Sequence, residues 1–259
     1  QVLGLGPEHE VITTPITFYA TSLPAVAFNA HIVFADVEPD TLNIDPKDIA
    51  KKINERTRGI YVVHYGGQPV NMTPILEIAE RRNIPVVEDA AHAPGSTYKG
   101  KKVGSIGTLG CFSFHSLKNM STLGEGGMIT TNDDKVASRI RLAREMGVKR
   151  YPARKDYWLP YHYDVVAIMG RTGLNFRMSE VQGAVGQVQL KKLASFNKRR
   201  KVIAEKLMEG ISDVKGIRVL RPKQDVESSW HLFSILMEDG LQDKRDLFIR
   251  ILYEDFGIE

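Results

Sequence analysis

Lys118 stands in the segment Cys111-Phe112-Ser113-Phe114-His115-Ser116-Leu117-Lys118-Asn119, which is followed by the turn Gly124-Glu125-Gly126-Gly127. Apolar surface around a lysine lowers its pKa by desolvation, and an unprotonated amine is what a Schiff base to a carbonyl requires. Local pattern leaves the ordinary reading open, because a loop lysine is usually a solvated charge and the glycines alone argue only for a tight turn. Asp89 closes the apolar run Val86-Val87-Glu88-Asp89, and the small residues Ala90-Ala91-His92-Ala93 after it leave room for a flat ligand. Its carboxylate could pair with a protonated ring nitrogen, or simply cap the turn that starts at Ala90. Ser113 and Phe18 are residue types that strands and turns use anyway, and Asn175, just before an amphipathic stretch, could be no more than a cap. His115 and His231 read as structural.

The elements that must position these residues alternate short apolar runs with helical patterns: 10–14, 21–28, 31–36, 44–53, 59–64, 73–82 and 85–89. That rhythm is βαβ, a parallel sheet buried between helices. Val62-Val63-His64 and Val86-Val87-Glu88-Asp89 end in polar residues, and ligands of open α/β sheets bind beyond the carboxyl ends of their strands. Strands at 110–114 and 127–131 follow, with Lys118 in the loop joining them. Apolar positions Val181, Ala184, Val185, Val188 and Leu193 predict a long helix over 179–212, with a break near 194–196. Strands at 217–220 and 232–237 and a helix over 244–255 read as the start of a second, α+β unit. Two domains are expected, 1–190 and 191–259. Residues 1–6 read as the end of a helix closed by glycine, so both ends of the chain look cut.

The 259 residues carry 42% hydrophobic and 25% charged side chains, the make-up of a globular protein rather than a disordered one. The net charge of +4 is scattered except for Lys191, Lys192, Lys198, Arg199, Arg200 and Lys201, read as a solvated helix face, so no nucleic-acid partner is expected. The lone cysteine, Cys111, excludes a disulfide within the chain and argues against a metal cluster; a reducing, cytoplasmic setting is expected. No apolar run reaches the ~20 residues of a membrane span.

Val87-Glu88-Asp89-Ala90-Ala91-His92-Ala93, then Phe112 to Asn119 with Gly124 to Gly127, then Gly173-Leu174-Asn175-Phe176-Arg177-Met178-Ser179-Glu180 together resemble the DegT/DnrJ/EryC1/StrS family of nucleotide-sugar aminotransferases. Pro15 to Thr21 and Asp40 to Asp45 resemble it too. The resemblance implies an α/β, fold-type-I transferase dependent on pyridoxal 5′-phosphate (PLP), with a smaller, truncated α+β C-terminal domain. It implies that Lys118 holds the cofactor as a Schiff base and then moves the proton, and that Asp89 holds the pyridine nitrogen. Ser113 would donate to the phosphate, Phe18 would stack on the ring, and His92 would lie near its phenolic oxygen. Asn175 would reach a phosphate across a homodimer interface, so that two subunits share each site. The implied reaction is ping-pong transfer of nitrogen from an amino acid, glutamate being the expected donor, to a keto sugar on a nucleotide, as in cell-surface polysaccharide biosynthesis. An aminocyclitol aminotransferase and a PLP-binding regulator without turnover are the alternatives; a sugar dehydratase of the same family would carry histidine in place of Lys118. The family's phosphate-cradling turn is expected upstream of residue 1. The aromatics Tyr151, Tyr157, Trp158, Tyr161 and Tyr163 could stack on substrate or pack a dimer.

Overall fold

The computed structural model describes residues 1–149, 164–238 and 240–258; the five aromatics just named lie outside these. In chain order the elements are β1 (Glu10–Thr13), α1 (Leu23–Val26), β2 (His31–Phe34), α2 (Pro46–Lys52), β3 (Thr57–Val63), α3 (Met72–Arg81) and β4 (Val86–Asp89). Then come β5 (Thr97–Tyr98), β6 (Lys101–Lys102), β7 (Leu109–Ser113), β8 (Gly127–Thr130), α4 (Asp134–Arg144), β9 (Val148–Lys149) and β10 (Asp164–Val165). The remainder is α5 (Glu180–Gly210), β11 (Ile217–Val219), β12 (Val226–Glu227), β13 (Ile235–Met237) and α6 (Arg245–Phe256).

Six strands form one sheet in the order β2-β1-β3-β4-β7-β8, the first five parallel and β8 antiparallel to β7. Side chains alternate across a strand, so neighbouring residues serve opposite layers. Ile12, Ile60, Val62 and Val86 point to one side and pack with Ile49 of α2 and Met72, Ile75 and Ala79 of α3. Val11, Tyr61, Val87 and Leu109 point to the other and pack with Leu5, Ala25, Ala30 and Val136 of α4. Both faces of β3 and β4 are therefore covered, which is why they read as unbroken apolar runs.

Helix starts are chemically marked. Asp45 accepts from the Lys47 amide at 2.8 Å with Pro46 in the first turn of α2, and Asp133 accepts from the amides of Lys135 and Val136 at 2.7 and 3.1 Å at the start of α4. Ser179 and Gln182 form a reciprocal capping box at the start of α5.

Three expectations are corrected. α5 runs 31 residues without the break expected near 194–196. Ala194, Ser195 and Phe196 supply no glycine or proline to interrupt it, and the Ser195 hydroxyl is satisfied inside the helix by sharing the Lys192 carbonyl at 2.7 Å. The last strand is confined to 235–237, because residues 229–232 fold back on the main body: the amides of Ser229 and Leu232 donate to the carbonyls of Gly67 and Gly66 at 3.2 and 3.1 Å. Residues 1–6 are a turn, closed by the Gly4 amide on the Gln1 carbonyl at 2.9 Å, and not the end of a helix. Beyond the main sheet, β12 pairs with β5, and β5 with β6, so the chain from 226 onward is stitched to the body. Among the described residues no helix is long and apolar enough to cross a membrane.

Candidate active site

Parallel strands place their carboxyl ends on one rim of the sheet, and β3 and β4 deliver His64 and Asp89 there in register, Val63 opposite Asp89. The acid before it, Glu88, is fully buried. One carboxylate oxygen accepts from the amides of Ile106 and Gly107 at 2.8 and 2.6 Å, and the other from the Gly104 amide at 2.8 Å and His64 Nε2 at 3.0 Å. The Val70 amide donates to His64 Nδ1 at 3.0 Å, so the ring proton sits on Nε2 and points at Glu88. Burial pushes the Glu88 carboxyl up, but the His64 hydrogen bond and the Gly107 and Gly104 amides outweigh it and hold it below the ordinary carboxylate range.

Asp89 is the next residue and faces the rim. Its Oδ2 accepts from the Thr21 hydroxyl at 2.6 Å, which in turn meets the Thr17 hydroxyl at 2.7 Å, and its Oδ1 accepts from the Ala91 amide at 3.1 Å. The capping alternative and the ring-binding alternative thus coexist, since each oxygen keeps a free lone pair. On β7 the register partner of Asp89 is Cys111, a free thiol pushed up to about 12 by burial and by Asp89 and Glu88, and therefore inert.

Lys118 lies in the β7–β8 loop. The Lys118 amide donates to the His115 carbonyl at 2.9 Å, the Ser116 amide to Gly124 at 2.9 Å and the Phe114 amide to Gly126 at 2.8 Å. The loop closes so tightly that a Cβ on Gly126 would stand 2.1 Å from the Thr122 hydroxyl oxygen. Phe114 and Met120 anchor it against Leu193 of α5. Burial lowers the Lys118 amine from its ordinary value, and the negative charge of Asp89 pulls the other way. A half-buried amine within electrostatic reach of a carboxylate is suited to attack a carbonyl and to carry a proton.

His92 follows Asp89 by three residues, and its Nδ1 is buried with no hydrogen-bond partner among the described residues. Its ring lies 4.3 Å from that of His231, tilted by 34°, and edge-on to Tyr65 at 6.4 Å. Burial, with the charges of His231 and Lys118, pushes His92 down to about 3; burial, Lys118 and Arg200 push His231 down to about 4. Two neutral imidazoles therefore lie within electrostatic reach of the lysine at neutral pH. Sequence reasoning set His231 aside as structural, and nothing local could have recovered it: it arrives through the fold-back of residues 229–232.

The other expected residues are placed as follows. Ser113 ends β7 two residues past the partner of Asp89, and its hydroxyl accepts from the His115 amide at 3.3 Å. Phe18 is 60% exposed, and its ring centroid lies 4.2 Å from that of Tyr19. Asn175 is exposed, bridges Glu145 on the backbone, and accepts from Arg177 Nε at 3.1 Å; no hydrogen bond among the described residues joins it to the Lys118 cluster. Thr21 and Asn119 are the contributors that no role was expected of.

The profile of the DegT/DnrJ/EryC1/StrS aminotransferase family matches residues 1–259. The chain is 37% identical over 259 residues to GDP-perosamine synthase of Caulobacter vibrioides, covering 99% of this chain and 66% of that protein. Among solved structures, the aminotransferase from Psychrobacter cryohalolentis superposes with a TM-score of 0.89 at 34% identity, over 99% of this chain and 67% of that one. Spr1654 of Streptococcus pneumoniae in its PLP form superposes at 0.84 with 28% identity, over 98% of this chain and 67% of that one. The chain spans 58% to 66% of the length of the curated relatives it matches. Aminotransferases of this kind use pyridoxal phosphate, and with a full-length match on an α/β fold of the same shape, this chain belongs to the DegT/DnrJ/EryC1/StrS aminotransferase family.

Proposed function

We propose that the chain belongs to a PLP-dependent aminotransferase that moves an amino group from an amino acid, with glutamate as donor, to a keto group of a nucleotide-linked sugar. The observation that carries this reading is the half-buried Lys118 amine, lowered by burial and within electrostatic reach of the Asp89 carboxylate, in a member of this family. The unpartnered buried Nδ1 of His92 fits the same ligand, since a ring hydroxyl at that point would satisfy it. When bound, PLP supplies an electron sink for charge on the carbon next to the transferred nitrogen.

In this reading Asp89, braced by the Thr21 hydroxyl and the Ala91 amide, would hold a ring N–H. Lys118, with its amine pulled down by burial, would hold the cofactor and afterwards move a proton. Phe18 would cover one ring face, His92 would meet the phenolic oxygen and Ser113 would donate to the phosphate. Residues 1–190 would carry the cofactor and residues 191–259 would begin a second α+β unit. Asn175 would serve the site of a second subunit in a cytoplasmic homodimer. Its neighbours Leu174 and Phe176 and the helix residue Val181 are all at least 60% exposed, a surface that another subunit would cover.

The test is optical. Full-length protein loaded with PLP should be yellow, glutamate should bleach it, and a keto nucleotide sugar should restore the colour; a colour indifferent to glutamate overturns the proposal. Borohydride reduction followed by peptide mass spectrometry should find the cofactor on Lys118. For the shared site, inactive Lys118→Ala and Asn175→Ala chains mixed one to one should recover about a quarter of wild-type activity, because half the dimers are mixed and each of those has one intact site. No recovery would place Asn175 in its own subunit's site, and an Asn175→Ala chain that is active by itself would place it in none.

A further inference from the structure

Asn119, next to Lys118 in sequence, sits at the centre of a buried polar network. Its Nδ2 donates to the Ser229 carbonyl at 3.0 Å and meets Asn197 Oδ1 at 3.1 Å, and its Oδ1 lies 2.9 Å from His231 Nδ1. The orientation of both amides is settled by backbone carbonyls, which only accept. Asn197 Nδ2 donates to the Pro94 carbonyl at 2.8 Å, so Asn197 turns its oxygen towards Asn119. Asn119 must then present its NH2 to Asn197 and Ser229, which leaves its oxygen to His231. An oxygen there requires a proton on His231 Nδ1.

The His231 ring is neutral at physiological pH, since burial and the positive charges of Lys118 and Arg200 disfavour protonation. A neutral ring with hydrogen on Nδ1 has a bare lone pair on Nε2, and among the described residues Nε2 has no partner. The ring is held in place by the stacked His92, and by Trp230 before it, whose backbone takes the left-handed φ of 49° and whose carbonyl accepts from Arg200 at 3.4 Å. Ser229 adds a second tie: its hydroxyl donates to the His92 carbonyl at 2.8 Å.

We infer that Asn119 is a positioning residue that fixes His231 as the Nδ1–H tautomer, so that Nε2 accepts a hydrogen bond from a hydroxyl of the keto-sugar substrate beside Lys118. The inference rests on the aminotransferase reading for the identity of the substrate, but not for the tautomer. A polyhydroxylated substrate needs acceptors as well as donors. The Lys118 amine, whose charge reaches the His231 ring, is already a donor there, and the opposite tautomer would present a second N–H in place of a lone pair.

The experiment is 15N NMR of full-length protein labelled at histidine. His231 should show a protonated Nδ1 and an unprotonated Nε2 at neutral pH, and a protonated Nε2 overturns the inference whatever the activity. In Asn119→Leu the tautomer should shift towards Nε2–H and KM for the keto sugar should rise roughly tenfold, the worth of one hydrogen bond, with bleaching by glutamate kept within about twofold. An equal loss in both half-reactions would make Asn119 a general structural residue and sink the positioning role. Should Asn119→Leu fail to fold, the wild-type spectrum alone decides. Should glutamate leave the wild-type colour unchanged, the aminotransferase reading fails while the tautomer is still read from the same spectrum.

Discussion

Replacing Glu88 with Gln changes one atom and should cost as much as a large core deletion. The carboxylate receives four donors: the amides of Ile106 and Gly107 on one oxygen, and the Gly104 amide and His64 Nε2 on the other. A glutamine can serve the first pair with its oxygen, but its NH2 then faces two N–H groups. His64 has no way to yield by changing tautomer, because its Nδ1 is occupied by the Val70 amide at 3.0 Å. Flipping the amide only moves the conflict to the other pair. Two charge-assisted hydrogen bonds at about 1.5–3 kcal/mol each are therefore lost and their donors are left buried, a cost of about 3–5 kcal/mol. Against a typical total of about 5–15 kcal/mol this is a large fraction, and at about 3 kcal/mol per molar urea it lowers the unfolding midpoint by more than about 1 M. Circular dichroism of wild type and Glu88→Gln in urea measures it, with Glu77→Gln as the surface control, expected within about 0.5 kcal/mol. A midpoint shift under about 0.3 M would mean that the 104–107 turn does not depend on the carboxylate, and the account of how β4 and the turn before β7 are fastened would be wrong.

Acid should weaken the fold through the two site histidines. Both have folded values below the ordinary 6.5, about 3 for His92 and about 4 for His231, so the unfolded chain takes up protons first. Their contribution is complete above about pH 6.5 and is lost as pH falls towards 4 and then 3; the urea midpoint should fall between pH 6.5 and 4.5, less steeply in His92→Asn, and equal slopes in the two proteins would refute the assignment. Two glycines should respond in opposite directions. In Gly110→Ala the new Cβ stands 2.3 Å from the Gly104 Cα, backbone against backbone, and should cost about 3 kcal/mol or more, whereas Gly183 of α5 has open space and Gly183→Ala should gain up to about 1 kcal/mol in melting experiments.

What the sequence conveyed and what it withheld divide along a physical line. Period-two alternation and polar strand ends are local properties, so β3, β4 and the position of Asp89 at the rim could be read directly. α4 escaped notice because its first turn is Asp134-Lys135 and its mean hydropathy is low; it is held by the Asp133 cap and by Val136 packing under the sheet, neither of which makes an apolar stripe. The direction of β8 was equally hidden, since an apolar run looks the same parallel or antiparallel. Glu88 looked like a strand-end acid, and only the amides of 104–107 explain how a carboxylate can be fully buried there.

The site shows the same division at a finer scale. Lys118 and Asp89 were singled out by the company of other motifs in a resemblance, and local chemistry alone would have left Lys118 a solvated charge and Asp89 the cap of a turn. Their burial is made by segments distant in sequence: Thr21 reaches Asp89 across 68 positions, and His231 reaches Asn119 across 112. The second of these contacts exists because the chain after α5 returns to the body, where Ser229 bonds Gly67, Ser96 and the His92 carbonyl. A segment that reads as the opening of a separate unit thus brings His231 within electrostatic reach of the lysine. The neutrality of both histidines, and the lowering of the lysine, follow from that closure, because desolvation is the largest cause of each shift. Loosening the 228–232 segment should therefore raise all three values together, a coupling that no residue in the segment announces by type or spacing.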